Sequence, residues 1–443
     1  MNEFKRVFST PPLDWRKQRL GEFLERVDTR NVVGDQNVLT ISAEHGLISQ
    51  EEFFNRRVAS ENVAGYYRLV IGDFAYNKSY SRGYPMGAIR RLDRYPSGVV
   101  SPLYICFRLS VGAPVDSDFL AHYFDGGAID TQLADVAKEG ARNHGLLNVS
   151  VKEFFEIETA LPPIEEQRCV AQILDTLDTA IREAEALIDK LKAVKQGLLH
   201  DLLTRGIDAN GQLRPPQSEA PQLYKKSPLG WFPREWVLRE LGDLAEVSRG
   251  KFTHRPRNDP AFFGGKYPFI QTGDVAVAQG GYISTYSQTL SARGIAVSQD
   301  FPAGTIAITI AANIADTAIL ARPMFFPDSV VGAVVYPEHN IRFVELSIRR
   351  AKRSLDARAP QSAQKNINLQ DLRPLLLAVP SKSEQDAIAA RYDAIQAQLE
   401  AEQIAVTKLR QQKNGLMDDL LTGRVRVTPL LQPVQQPAAQ MGA

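Results

Sequence analysis

The run LPPIEEQRCVAQILDTLDTAIREAEALIDKLKAVKQGLLHDLLTRG, Leu161 to Gly206, decides how this chain is built. Its apolar residues recur at spacings of three and four. Val170, Leu174, Leu177, Ile181, Ala184, Ile188, Leu191, Leu198 and Leu202 keep one heptad register, interrupted only by Lys195. That period predicts one long helix with an a/d seam, the signature of a coiled coil. Pro162 and Pro163 precede the first turn, and Glu165 and Glu166 sit in it, at the positive end of the helix dipole. Gly206 follows as a stop. About 40 residues at 1.5 Å each predict a rod of roughly 60 Å.

A second copy, Val379 to Gly423, lies at a constant offset of 218 residues. Glu166-Gln167 matches Glu384-Gln385, Asp175 matches Asp393, and Lys195 matches Lys413. Asp201-Leu-Leu-Thr204 matches Asp419-Leu-Leu-Thr422. No gap is needed along the helix. One inserted residue would rotate everything after it by about 100°, so the whole face is in use. Ser381-x-x-Glu384 predicts a capping box at the second start. Both Glu-Gln pairs are read as helix-start residues rather than catalytic carboxylates. The second seam is Ile388, Tyr392, Ile395, Leu399, Val406, Leu409, Leu416 and Leu420, with Glu402 and Lys413 as polar interruptions. The matched lysines read as register devices or snorkelling residues.

The repeat extends beyond the helices. Pro12-Leu-Asp-Trp15 leads to Leu20-Gly21 near the start, and Pro233-Arg-Glu-Trp236 leads to Leu241-Gly242 after the first helix. The order is globule, long helix, globule, long helix. The first globule reads as short strands at 37–42, 66–71, 72–77, 87–92 and 104–109, with a helix at 116–124. The second reads as strands at 266–271, 281–286, 304–310 and 318–321, with a helix at 341–355. Both are mixed α+β. Between the halves, Ile207 to Pro233 carries Pro215, Pro216, Pro221, Pro228 and Pro233 and reads as a linker.

The totals of 443 residues, 44% apolar and 23% charged, describe an ordinary globular protein of two or three domains. Cys106 and Cys169 are too few for a disulfide framework or a zinc site and fit a reducing cytoplasm. No apolar run of about 18 residues predicts a membrane span, and MNEFKRVFST lacks a signal-peptide core. The formal charge of +1 neither announces nor excludes a nucleic-acid partner. Locally, residues 243–365 hold 14 Lys and Arg against 10 Asp and Glu, while 22–147 hold 13 against 16. Arginine dominates both counts and suits forked contacts with phosphate and guanine.

Catalytic patterns do not assemble. The three Pro-Pro pairs, at 11–12, 162–163 and 215–216, lack the flanking residues of an amino-methyltransferase motif. Gly250-Lys251 and Gly265-Lys266 lack the upstream glycine of a Walker A loop. Glu3-Phe-Lys5 is the one Glu-x-Lys pattern of nuclease type, at the extreme terminus. There is no Gly-x-Ser-x-Gly elbow, and the six histidines form no His-x-x-x-His pair. A non-catalytic protein is the better reading.

This layout resembles the specificity (S) subunit of type I restriction–modification systems over nearly the whole chain. The resemblance rests on Leu161-Pro-Pro-Ile-Glu-Glu-Gln167 with Leu202-Leu-Thr204, and on their copy from Val379 to Thr422. Phe74-Ala-Tyr-Asn-Lys78, then Ser101-Pro-Leu-Tyr104, carry it in the first globule. Ser227-Pro-Leu-Gly-Trp-Phe-Pro233, Tyr267-Pro-Phe-Ile-Gln-Thr-Gly-Asp274 and Gly304-Thr-Ile-Ala-Ile308 carry it in the second half. One departure is Val379-Pro-Ser-Lys-Ser-Glu-Gln385, where the family has Pro-Pro-x-x-Glu-Gln.

The resemblance implies an α+β fold with a pseudo-twofold internal repeat and two long antiparallel coiled-coil helices. It divides the chain into a target recognition domain at 1–160, a scaffold helix at 161–206 and a Pro-rich linker at 207–235. A second recognition domain follows at 236–378, a second scaffold helix at 379–424 and a disordered tail at 425–443. Each globule would read half of a bipartite site on double-stranded DNA. The helices would set the spacing and dock two methyltransferase (M) subunits, with motor-nuclease (R) subunits joining for restriction. S-adenosylmethionine would belong to M, and ATP and Mg²⁺ to R, with no cofactor in this chain. A coiled-coil adaptor with protein-binding globules is the second reading.

The candidate DNA contacts are polar and basic loops. In the first globule they are Tyr76, Asn77, Lys78, Ser79, Tyr80 and Arg82, then Arg90 and Arg91, then Arg142 and Asn143. In the second they are Arg249, Lys251, His254, Arg255 and Arg257, the densest basic loop. Thr272 and Asp274 of a Gly-Asp turn follow, then Asn313, Lys365 and Asn366. The plainer reading of each is a solvated turn.

Overall fold

The computed structural model describes residues 11–42, 45–56, 62–79, 84–139, 147–311, 314–358 and 366–431. The chain folds as two compact units. One comprises Met1–Glu185 with Ile404–Ala443, and the other Ala186–Gln403. The long helices, Ile164–Thr204 and Lys382–Leu420, each contribute to both units. Their crossing points, 185/186 and 403/404, are related by the same 218-residue offset as the repeat.

In the first unit, Arg16–Arg19 pairs antiparallel with Glu158–Leu161, which delivers the chain directly into the first long helix. A four-stranded antiparallel sheet runs in the order Leu24–Arg26, Ile105–Leu109, Phe74–Asn77, Ala88–Arg91. Phe74 and Phe107 stack at 5.4 Å across it. The core joins this sheet to Phe119 and Phe124 of helix Ser117–Asp125, to Val170 and Leu174 of the first long helix, and to Leu420 and Leu421 at the end of the second.

The second unit is built alike at its entrance. Val237–Glu240 pairs antiparallel with Leu376–Val379, just before the second long helix. A five-stranded sheet runs Ala245–Arg249, Val330–Val335, Ile306–Thr309, Thr317–Leu320, Tyr282–Ile283, with only the last pairing parallel. A four-stranded sheet runs Gln288–Leu290, Phe263–Phe269, Met324–Phe325, Asp300–Phe301. Phe343, Val344, Leu346 and Ile348 of helix Ile341–Arg358 pack with Leu202, Leu203, Ile388 and Tyr392 of the long helices.

The repeated Glu-Gln pairs dock each globule to its helix. Gln167 Oε1 accepts from Asp116 N at 2.8 Å, and Gln385 Oε1 accepts from Asn340 N at 2.9 Å. Two turns on, Asp175 meets His122 at 2.8 Å and Asp393 meets Arg342 at 2.9 Å. The glutamates hold arginines from beyond the other helix's end. Glu166, 2% exposed, takes Arg426 at 2.6 and 2.7 Å. Glu384 takes Arg214 at 2.5 and 3.1 Å, together with Ile207 N at 2.8 Å and Trp236 Nε1 at 3.2 Å. The capping-box expectation is half met: Ser381 Oγ accepts from Glu384 N at 3.4 Å, but the Glu384 carboxylate is committed to Arg214. Gly206 adopts a left-handed φ of 66°, and a Cβ there would collide with Glu384 and Trp236.

Four expectations change. Residues 207–235 are ordered: Tyr224–Ser227 and Gly230–Pro233 form a hairpin, and Tyr224 donates to Pro215 O at 2.6 Å. Tyr224 and Phe232 bury 98% and 97% of their surface, so proline here shapes a folded segment rather than a spacer. Residues 425–431 are ordered through Arg426 and buried Val427; the remaining tail lies outside the described residues. Val330–Val335 forms a strand beside Ala245–Arg249, neither of which the alternation rule found. The expected turn at Thr272–Asp274 opens a helix, Thr272–Ala278.

Candidate nucleic-acid interface

The first-unit candidates divide between core and surface. Phe74–Asn77 is a buried strand, so Tyr76 points into the core. It is 0% exposed, stacks on Phe154 at 5.5 Å and donates to Met86 O at 2.8 Å. Its burial raises the phenol above the ordinary tyrosine range. Tyr76 therefore has no path to a groove, which corrects the expectation. Asn77 Oδ1 accepts from Ser79 N at 3.1 Å and holds the turn. Lys78 donates to Val149 O at 3.2 Å, and burial lowers its ammonium below the ordinary lysine range. Ser79 is exposed. Tyr80, Arg82, Arg142 and Asn143 lie outside the described residues.

Arg90 and Arg91 brace the sheet against the neighbouring helix. Arg90 pairs with Asp125 at 2.7 Å and donates to Tyr84 Oη at 2.6 Å. Arg91 reaches Asp93 at 2.6 Å, Asp118 at 2.7 Å and Ser117 Oγ at 2.8 Å. A guanidinium holding two carboxylates has little charge left for phosphate.

The basic loop of the second unit is more available. It leaves the edge strand Ala245–Arg249 and turns at Gly250, whose Cβ position is filled by Phe326 and Pro327. Arg249 and Lys251 are exposed and pair with no side chain among the described residues. Arg257 meets Asp328 at 2.8 Å, and Arg255 donates to the carbonyls of Phe252 and His254 at 2.9 and 2.8 Å. His254 stacks on Phe262 at 3.8 Å and contacts Asp259 at 3.2 Å. The loop thus fixes two of its cations and leaves two extended.

Asp274 works as a structural pin. Its carboxylate accepts from Gln271 N at 2.7 Å, Ser287 N at 3.1 Å and Ser287 Oγ at 2.8 Å, while Thr272 begins the short helix. Asn366 sits in a β-bridge with Ala311. Asn313 and Lys365 lie outside the described residues.

A second basic group went unread. Arg349, Arg350, Lys352 and Arg353 line one depression on helix Ile341–Arg358. Arg349 is held by Glu345 at 3.0 Å and by Tyr392 at 3.1 Å. Arg350 donates to Leu203 O at 2.6 Å, Lys352 pairs with Asp316, and exposed Arg353 has no side-chain partner among the described residues. The run Arg349-Arg-Ala-Lys-Arg353 was the available signal. The arginines that clasp Glu166 and Glu384 were also missed, because they lie outside the helix repeat.

Residues 233–408 match the family model described as the type I restriction modification DNA specificity domain. The type I restriction enzyme MjaVIII specificity subunit of Methanocaldococcus jannaschii is 26% identical over 310 residues, spanning 66% of this chain and 68% of that protein. The putative type I restriction enzyme MjaX specificity subunit of the same organism is 23% identical over 427 residues, spanning 94% and 95%. Among solved structures, the S subunit of a type I restriction–modification system from M. genitalium matches with a TM-score of 0.53 at 11% identity, covering 94% of this chain and 98% of that one. A chain from a structural study of the assembly and conformational transition of the type I R-M system matches at 0.56 and 17%, covering 94% and 100%. At these identities the two structures bear on the α+β fold alone.

Proposed function

We propose that the chain is a specificity subunit of a type I restriction–modification system and that each unit reads one half of a bipartite sequence on double-stranded DNA. The protein is a non-catalytic targeting subunit. Two M subunits dock on it and carry S-adenosylmethionine chemistry; R subunits join with ATP and Mg²⁺. This chain holds no cofactor of its own and works in the cytoplasm. No helix among the described residues is long and apolar enough to cross a membrane.

The observation that carries the reading is the repeated construction. Each unit closes one globule on the first half of one long helix and the second half of the other, with a matched glutamate clasp. Two similar readers joined by helices of fixed length, paired as an antiparallel coiled coil, give a two-part site with a spacer set by protein geometry. Arg249 and Lys251 are the cations best placed for phosphate in the second unit. An adaptor that binds only protein needs neither the repeat nor a spacing.

Methylation-sensitive sequencing of DNA from cells expressing this chain with its M subunit tests the proposal. The expected result is one modified bipartite sequence. Exchanging the 236–378 globule for that of a relative should change one half of it. Modification that ignores the exchange overturns the reading, as does modification by the purified chain alone.

A further inference from the structure

The second unit holds a cavity of about 340 Å³ beside the basic loop. That volume lies within the range of small-ligand pockets, about 300–1,000 Å³. Phe252, Phe263 and Phe269 line it, with ring centroids 5.5, 5.5 and 6.0 Å apart. Phe252 and Phe269 are 4% and 1% exposed, so their rings are anchored in the fold. Two amides also line the cavity. Gln271 Nε2 donates to Gln288 Oε1 at 3.0 Å. This leaves Gln271 Oε1 as an acceptor and Gln288 Nε2 as a donor, neither with a partner among the described residues. Arg257, fixed by Asp328, lines it as well, with Asn258, Pro260 and Pro327.

Aromatic rings with an adjacent donor and acceptor match a planar heteroaromatic ligand that carries the complementary pair on one edge. The surroundings say what such a ring is attached to. Lys251 immediately precedes Phe252, and Arg249 lies two residues earlier; both are exposed and have no side-chain partner among the described residues. Cations alongside aromatic rings are the arrangement that holds an unstacked nucleic-acid strand. A base within a duplex offers only its edges, because its faces are stacked on its neighbours. Contact with the phenylalanine rings requires the base to leave the stack.

We propose that this cavity takes one extrahelical nucleobase of a DNA strand whose phosphates run along Arg249 and Lys251. The Gln271–Gln288 pair reads the base's edge; adenine, with a donor beside an acceptor, fits it. This rests on the DNA reading above and adds to it a site for a base outside the helix.

The test uses the full chain and three duplexes of one sequence: fully paired, bulged with one unpaired adenine, and bulged with one abasic nucleotide. Both bulges bend and loosen the duplex, so only the base differs between them. The adenine bulge is expected to bind about tenfold tighter than the abasic one, from base–aromatic stacking. Gln288→Met keeps the side-chain length and should shrink that ratio. Phe263→Ala should abolish it. Gln288 is exposed, so its variant retains the test if Phe263→Ala fails to melt cooperatively. Equal binding of adenine and abasic bulges overturns the proposal, as does a ratio that neither variant moves. If the paired duplex binds while the adenine advantage is absent, the pocket alone fails. If none of the three duplexes binds, the DNA reading fails with it.

Discussion

Lys413 Nζ donates to both carboxylate oxygens of Asp178, at 2.5 and 2.7 Å. The repeat offset that takes 195 to 413 also takes 178 to 396, and Lys195 donates to Gln396. The two seam lysines therefore reach across to matched positions on the other helix. Lys195 also lies over the Tyr392 ring at 5.2 Å. With side chains 16% and 34% exposed, the Lys413–Asp178 pair is only partly screened. Asp178→Ala should destabilise the chain by about 1–2 kcal/mol. Asp178→Gln, which copies the other site, should cost less. A double-mutant cycle with Lys413→Met, read by urea unfolding, should return a coupling of about 1 kcal/mol. A coupling near zero would mean that the contact leaves stability untouched.

The Glu384 clasp should be the more sensitive point. Both charged side chains are 10% exposed, and the carboxylate also satisfies Ile207 N and Trp236 Nε1. Glu384→Gln removes the better buried of Arg214's two counter-charges and leaves only exposed Glu235 at 3.0 Å, a loss of about 2–3 kcal/mol. Limited proteolysis should then cut within 207–223 faster than in the unmodified chain. Replacing Arg214 and Glu384 together with methionines should recover only part of the loss: the unpaired charge is gone, but Ile207 N and Trp236 Nε1 lose their acceptor.

The long helices were legible because period and repeat both survive in the sequence. Ile164–Thr204 and Lys382–Leu420 fall within four residues of the expected ends. Strands with one wet face, such as Tyr67–Val70, were also legible. Val330–Val335 was not. Its first four residues are fully buried, so it lacks alternation, and Gly332 is dictated by the Phe301–Phe326 stack lying against it. Among the DNA candidates, what the sequence hides is whether the charge is already paired inside the fold. Arg91 and Arg249 look alike in sequence, but among the described residues one holds two aspartates and the other none. Asp93 is a local partner of Arg91, but Asp118 and, for Arg257, Asp328 come from distant segments that no local pattern announces.

Acid should weaken the second unit near the start of its long helix. Burial holds the His339 imidazole below the ordinary histidine range. Gln385 is oriented by Asn340 N and Pro380 O, so its Nε2 donates to His339 Nδ1 at 3.3 Å. That contact needs the neutral ring. A histidine with a lowered folded pKa supplies stability above its unfolded value, near 6.5, that is lost as pH falls below it. Melting temperatures between pH 8 and pH 5.5 should fall more steeply for the unmodified chain than for His339→Gln. Parallel curves would remove His339 from the acid response.

Arg249→Ala and Lys251→Ala should each weaken DNA binding by the assembled complex for specific and unrelated duplexes alike. Each lost phosphate contact should reduce the slope of log affinity against log salt by about 1. Arg91→Ala should instead lower the melting temperature through loss of its two aspartate contacts, with the salt slope unchanged. An unchanged slope in both second-unit variants would move the phosphate path elsewhere, with Arg353 the next exposed cation to test.

The matched crossing points give a direct test of the spacing role. One heptad inserted between Glu185 and Ala186, and another between Gln403 and Ile404, leaves the contacts within each unit in place. A seven-residue insertion keeps the seam facing the same way, since two helical turns nearly complete it. At 1.5 Å per residue each helix lengthens by about 10 Å, roughly three base pairs at 3.4 Å each. The modified sequence should keep both half-sites and gain about three base pairs of spacer. Inserting the heptad in one helix alone should abolish modification, because the Lys413–Asp178 and Lys195–Gln396 pairs can no longer form in one register. An unchanged spacer after the double insertion would show that the distance is set by the M subunits and not by these helices.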